Sequence, residues 1–175
     1  MEETMSRKHH LLRVSLFCLV VLATSAGHAF GAARVTLLHG KAKIRGRMGS
    51  SYRPVRVGTV IRTGDRLRTV GECKLEMQMD ACITVRLGPD ADYTLEQLDR
   101  AAGAVLTVHA RLLTGRAWAV IERALHMRPR LRVRTPSAVI GVRGTTFRLD
   151  VSERGDTDVF AYEGTVQVEA AGQTV

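Results

Sequence analysis

The chain of 175 residues is poor in aromatics: one tryptophan, three tyrosines and four phenylalanines make up 5% of it. No aromatic residue interleaves with its clustered cations, so platforms that stack the bases of single-stranded nucleic acid are not indicated. Histidines outside the N-terminal segment are His39, His109 and His126, and no two stand at metal-ligand spacing. Serine outside that segment is confined to Ser50, Ser51, Ser137 and Ser152, in turn-like contexts without a nucleophile elbow. Glycine-rich phosphate loops and dinucleotide fingerprints are missing. The sequence therefore offers no catalytic residue, no metal site and no cofactor site, and the expectation is a protein that is not an enzyme. Long hydrophobic runs are missing too. The strongest one, residues 14–23, is only 10 residues long, against the roughly 20 needed to span a bilayer as a helix.

What is present begins with an export pattern. Arg7, Lys8 and Arg13 precede that apolar run, and the small residues of Thr24 to Ala29 follow it. This is the plan of a secretory signal, with cleavage expected before Phe30. The expected organisation is a signal peptide over 1–29 and one β domain over 30–175, with no stable membrane span after processing. Removing residues 1–29 takes away three cations and two carboxylates, so the formal charge of +9 becomes +8. A basic exported protein is drawn to anionic surfaces such as acidic glycans or lipid headgroups. Arginine codon bias, with the charges merely solvating a β surface, explains the same balance.

The rest of the chain is a procession of short segments with period-2 patterning, the mark of half-buried strands. Residues 34–38 stop at Gly40, and residues 41–45 run into the turn-rich stretch 46–51. Tyr52 to Val57 contains Pro54, which suits an edge. Cys73, Leu75, Met77 and Met79 alternate with Lys74, Glu76 and Gln78, and Asp80-Ala81 reads as a hairpin turn. Residues 105–113 and 117–121 flank Gly115. Residues 120–126 read as a loop or as a helical turn or two, with at most one or two helical turns expected near residues 121–125. Arg130 to Arg134 form a strand, Pro136 redirects it, and Gly141 and Gly144 bracket a tight bend at Val142-Arg143. Phe147, Leu149 and Val151 then alternate with polar partners, and two further strands follow the loops at residues 152–156 and at Gly164. The expected fold is all-β: a short-stranded sandwich or barrel-like domain, or a short β-solenoid.

The run Thr135-Pro136-Ser137-Ala138-Val139-Ile140-Gly141-Val142-Arg143-Gly144-Thr145-Thr146-Phe147, with Tyr162-Glu163-Gly164-Thr165-Val166 after it, resembles the C-terminal signature of the FecR-type domain. Residues 57–69, with their Gly64-Asp65 turn, resemble an upstream segment of the same family, and residues 75–88 its central hairpin. Thr135, Pro136, Gly141, Arg143, Gly144, Thr145, Phe147, Gly64 and Asp65 are read as structural, with Arg143 placed to bond carbonyls of neighbouring turns. The resemblance implies an exported β domain. In the best-known members that domain sits on a single-pass sensor controlling a sigma factor. Only about 13 residues precede the apolar run here, too few for a sigma-binding helical domain. A stand-alone periplasmic module that binds a protein partner or envelope component is the expectation. The alternative is a membrane-anchored transducer that keeps its N-terminal segment and regulates a sigma factor.

Three features carry site hypotheses. Arg128, Arg130, Arg132 and Arg134 alternate along one strand, with His126 in phase, and project from one face at roughly 6.6 Å intervals. Pro129 favours reading them as an edge strand guarded by charge; the other reading is a face for a polyanion or acidic partner. Asp90, Asp92, Asp156 and Asp158 lie at turns, where turn formation explains them more simply than calcium ligation. Cys73 and Cys82, the cysteines left after export, fall about 20 Å apart across a regular hairpin, whereas a disulfide needs Cα atoms within about 7 Å. Two buried thiols are expected.

Overall fold

In a computed structural model of the chain, residues 32–79, 81–101, 105–122 and 128–170 are described. Their regular structure is entirely β. The strands are β1 (Ala32–Arg45), β2 (Arg53–Pro54), β3 (Val60–Arg62), β4 (Arg66–Met79), β5 (Ile83–Leu87) and β6 (Asp92–Ala101). β7 (Val105–Ile121), β8 (Arg128–Arg134), β9 (Ala138–Val142), β10 (Thr146–Val151), β11 (Thr157–Glu163) and β12 (Val166–Ala170) complete them. The expected leader over 1–29 and the C-terminal residues 171–175 lie outside the described residues. Among the described residues no helix is long and apolar enough to cross a membrane. Of the helical turns expected near residues 121–125, Ile121 belongs to β7 and residues 123–127 lie outside the description.

Pairing runs β12-β9-β8-β7-β5-β4-β1-β2, with β6 bridging β4 and β7, β3 beside β1, and the β10–β11 hairpin on β7. The circuit of β4, β5, β7 and β6 closes on itself. The turn between β3 and β4 fastens it further: the Gly64 N–H donates to Leu95 O at 2.6 Å, and the Leu95 N–H donates to Asp65 O at 3.1 Å. The result is a small closed barrel with extra strands on its flank. Alternation sets its two faces, as in β10, where Phe147, Leu149 and Val151 are buried between the outward Thr146, Arg148 and Asp150. Tyr93, Phe147, Ile44, Ile61, Leu67 and Met77 are among the largest fully buried side chains. Each such side chain contributes roughly 1.5–3 kcal/mol through burial.

Two glycines read as strand ends, Gly40 and Gly115, are instead bends inside long strands. The segments on either side of Gly40 form the single strand β1, whose register with β4 slips between His39 and Lys41. β7 likewise runs unbroken through Gly115. Its first half pairs with β6 and β8, and its second half with β5 and β10. Local sequence marks a glycine as a weak point, but partners on both sides hold the strand through it. Gly115 has φ +86, and a Cβ there would stand 2.4 Å from Ala91 Cα. The kink thus lets the main chain between β5 and β6 lie directly against β7.

Two further expectations change. β8 is not an edge: it pairs in parallel with β7 and antiparallel with β9. Pro129 is tolerated because the β9 register spans only Leu131 to Arg134 of β8, leaving that proline a partner on one side alone. In the β4–β5 hairpin Met79 pairs with Ile83, so Cys82 lies in a three-residue loop and not opposite Met79. The conclusion about the cysteines stands, since both are buried and they are not joined in a disulfide. Burial pushes both thiols above their ordinary pKa. β2, which carries Pro54, ends the sheet as an edge, as its sequence suggests.

Candidate anion-binding site

The motif residues divide into builders of turns and one strand residue. The carboxylate of Asp65, itself buried, accepts the Arg62 N–H at 2.9 Å and so closes the turn that Gly64 enters with φ +92. Thr135 is buried at the end of β8. Its hydroxyl accepts the Ala138 N–H at 3.0 Å and the Thr157 hydroxyl at 2.8 Å, and Ser137 donates to Thr157 at 2.8 Å. That network fixes the reversal between β8 and β9, with Pro136 exposed at its tip. Gly144 turns the chain with φ +62, Thr145 is buried and accepts the Ile121 N–H at 3.0 Å, and Phe147 enters the core. Gly141 departs from expectation. It lies inside β9, in register with Arg132 and Gln167, and plays no part in the bend. Arg143 also departs: it is exposed and makes no hydrogen bond to a neighbouring turn among the described residues.

The outward face of β7, β8, β9 and β12 holds a depression of about 550 Å³. Thr107 and His109 line it from β7, Arg130 and Arg132 from β8, Gly141 and Arg143 from β9 and its end, and Thr165 and Gln167 from the last hairpin. The register sets His109, Arg132, Gly141 and Gln167 in one row across four strands. Their alternates Leu131, Val133, Ile140 and Val142 are buried beneath. The groove takes two members of the arginine ladder. Arg134 lies one step outside it, level with Arg111, which is paired to Glu96 at 2.6 Å. Arg128 opens β8 level with Val105. Arg143 and His109 were not grouped with the ladder from sequence; the outward phase of Val139, Gly141 and Arg143 along β9 was the available signal.

A second outward row supplies a contrast. Leu37, Glu76, Arg86, Trp118, Arg148 and Phe160 align across β1, β4, β5, β7, β10 and β11. There the guanidiniums are occupied. Arg86 binds Glu76 at 2.7 Å, Arg116 binds Asp150 at 2.9 Å, and Arg148 lies 4.0 Å over the Phe160 ring. Arg66 and Arg68 are likewise held by Asp92, at 2.5 and 2.8 Å. Burial pushes the Asp92 carboxyl up, but the hydrogen bonds from Arg66 and Arg68 outweigh it and hold the group below its ordinary pKa. In the groove, by contrast, Arg130, Arg132 and Arg143 have no carboxylate partner among the described residues. Three uncompensated cations on a concave surface focus positive potential outward.

The Asp90 carboxylate accepts the Gly71 N–H at 2.9 Å, and the Asp156 carboxylate accepts the Ser152 hydroxyl at 3.2 Å, so these carboxylates serve turns. Among the described residues no three His, Cys, Asp or Glu side chains cluster to hold a metal ion. No curated protein and no solved structure matches the chain. The sequence model of the FecR protein family matches residues 65–167, from the Asp65 turn through the barrel to the last strand of the groove. That span is more than half of the chain and includes every motif residue described above except Gly64, so the protein belongs to the FecR family, whose members act in envelope signalling.

Proposed function

We propose that the chain is an exported, non-enzymatic FecR-type domain of the periplasm. It binds an anionic envelope component, or an acidic surface of a protein partner, through the groove between β7 and β12. The observation that carries this reading is the set of three arginines without carboxylates gathered in one depression, whereas Arg86, Arg116 and Arg148 on the neighbouring outward face are paired or stacked. Exposed cations left unpaired contribute little to folding, but guanidinium forks bind phosphate and carboxylate oxygens through charge-assisted hydrogen bonds. Family membership supports a role in envelope signalling. Membership also supports a second reading, a membrane-anchored transducer that keeps residues 1–29 and regulates a sigma factor. Intact mass of the exported protein separates the two: loss of residues 1–29 supports the first, retention the second.

The groove is tested by retention on heparin across a salt series. With about three charges engaged, counterion release weakens binding roughly 40-fold between about 50 and 200 mM salt. The double variant Arg130→Gln, Arg132→Gln should lose most of that retention with its melting temperature nearly unchanged. Equal retention of parent and variant would refute the groove as the binding face.

A further inference from the structure

We infer that Gly141 is the ligand seat of this groove, a notch left open so that a phosphate-type oxyanion can sit between Arg132 and Gln167. The inference rests on the proposed binding function and names its ligand class. Gly141 lies in the interior of β9, with β8 and β12 paired on either side. Glycine there weakens a strand, because it adds backbone entropy to the unfolded chain and packs nothing. Two ordinary reasons for such a glycine fail. Its φ lies outside the left-handed region, so the backbone suits any residue. A Cβ would meet only the Gln167 Cβ, at 4.0 Å, an ordinary contact. At Gly115 and Gly164, by comparison, a Cβ would come within 2.4 and 2.5 Å of other atoms.

What the missing side chain does is open a space ringed by donors. Arg132 and Gln167 flank it in register, His109 stands one strand beyond Arg132, and Arg130 and Arg143 occupy the adjoining row. A carboxylate has two oxygens in one plane, which a single guanidinium fork satisfies. Donors brought to one point from several strands suit an anion with oxygens in more than one plane, and a phosphate group is such an anion. The groove, at about 550 Å³, exceeds one phosphate, so the group is carried on a larger molecule. Glu169 receives the Gln167 amide at 3.3 Å and places negative charge one step from the notch, at the end of the groove away from Arg143.

The test titrates pyrophosphate into the parent and into Gly141→Ala and Gly141→Val, with melting temperatures measured alongside. The expected result is loss of about tenfold or more in affinity for Gly141→Val, since the charge-assisted contacts lose their anion. Gly141→Ala should fall between, and both variants should melt at or above the parent's temperature. Unchanged affinity in Gly141→Val would overturn the inference, as would a lowered melting temperature in both variants. Poly-glutamate binding the parent as tightly as pyrophosphate would overturn the phosphate assignment. Phosphatidylglycerol vesicles identify the source: adsorption that Gly141→Val abolishes assigns the phosphate to a lipid headgroup, and pyrophosphate binding without adsorption assigns it to a soluble carrier. The Arg130→Gln, Arg132→Gln variant keeps the two levels apart. If it binds pyrophosphate like the parent, the groove itself falls; if it loses binding while Gly141→Val retains it, only the notch falls.

Discussion

Replacing Gly115 by alanine should destabilise the domain far more than the same change at Gly58, although both residues have φ +86. At Gly58 nothing lies within 4 Å of the added Cβ, so only the backbone penalty applies, about 1–2 kcal/mol for a non-glycine residue in the left-handed region. At Gly115 the Cβ would stand 2.4 Å from Ala91 Cα, 2.6 Å from Ala91 N and 2.7 Å from Asp90 O. All three are main-chain atoms, so no side-chain rotation relieves the clash. The main chain between β5 and β6 must move by about an ångström. That movement disturbs the Ala91 N–H, which donates to Thr69 Oγ1 at 2.7 Å, and the Thr69 N–H, which donates to Ala91 O at 3.0 Å. Disturbing two buried hydrogen bonds, on top of the backbone penalty, brings the expected loss to about 3–5 kcal/mol. That is a large part of the roughly 5–15 kcal/mol that holds a domain of this kind folded. Urea unfolding followed by circular dichroism measures it, with the fluorescence of Trp118, the single tryptophan, as a second probe. Equal losses at the two positions would refute the claim that close packing of β7 on the Ala91 main chain, and not backbone conformation alone, demands this glycine.

Gly144→Val should cost about 1–3 kcal/mol, because a β-branched residue is forced to φ +62; an unchanged melting temperature would show that the glycine is incidental. Acidification should weaken the fold through Asp92. Its folded pKa lies below the unfolded value, so its contribution is full above the ordinary carboxylate range near 4 and is lost as pH falls through the lower folded value. Glu76, held down by Arg86 and then Thr36, adds with the same sign. Asp92→Asn should therefore flatten, without abolishing, the decline of stability below about pH 4; an identical pH profile would refute the assignment. Arg130→Gln with Arg132→Gln should leave light scattering unchanged, since β8 is flanked by two strands and has no edge to guard. Aggregation of that variant would contradict the interior placement.

Much of this was legible locally. The alternation of Phe147, Leu149 and Val151 assigns the buried face of β10, and the same period puts Arg130, Arg132 and Arg134 together on the outward face of β8. Hairpin spacing argued against a Cys73–Cys82 bridge without knowledge of the core, although the turn is one residue longer than the sequence suggests. The ordered turn chemistry of Gly64-Asp65 and of Thr135 to Phe147 pointed to the family. Gly141 shows where local reading stops: a glycine next to a bend reads as part of it until β8 and β12 are seen pairing on both sides. The sequence by itself determined which side chains share a face, because the strand period is a property of the chain alone. Which strand lies beside which was decided by the tertiary structure. It placed β8 in the interior, carried β1 and β7 through their glycines, and joined Arg143 and His109 to the groove, because pairing depends on contacts between residues distant in sequence.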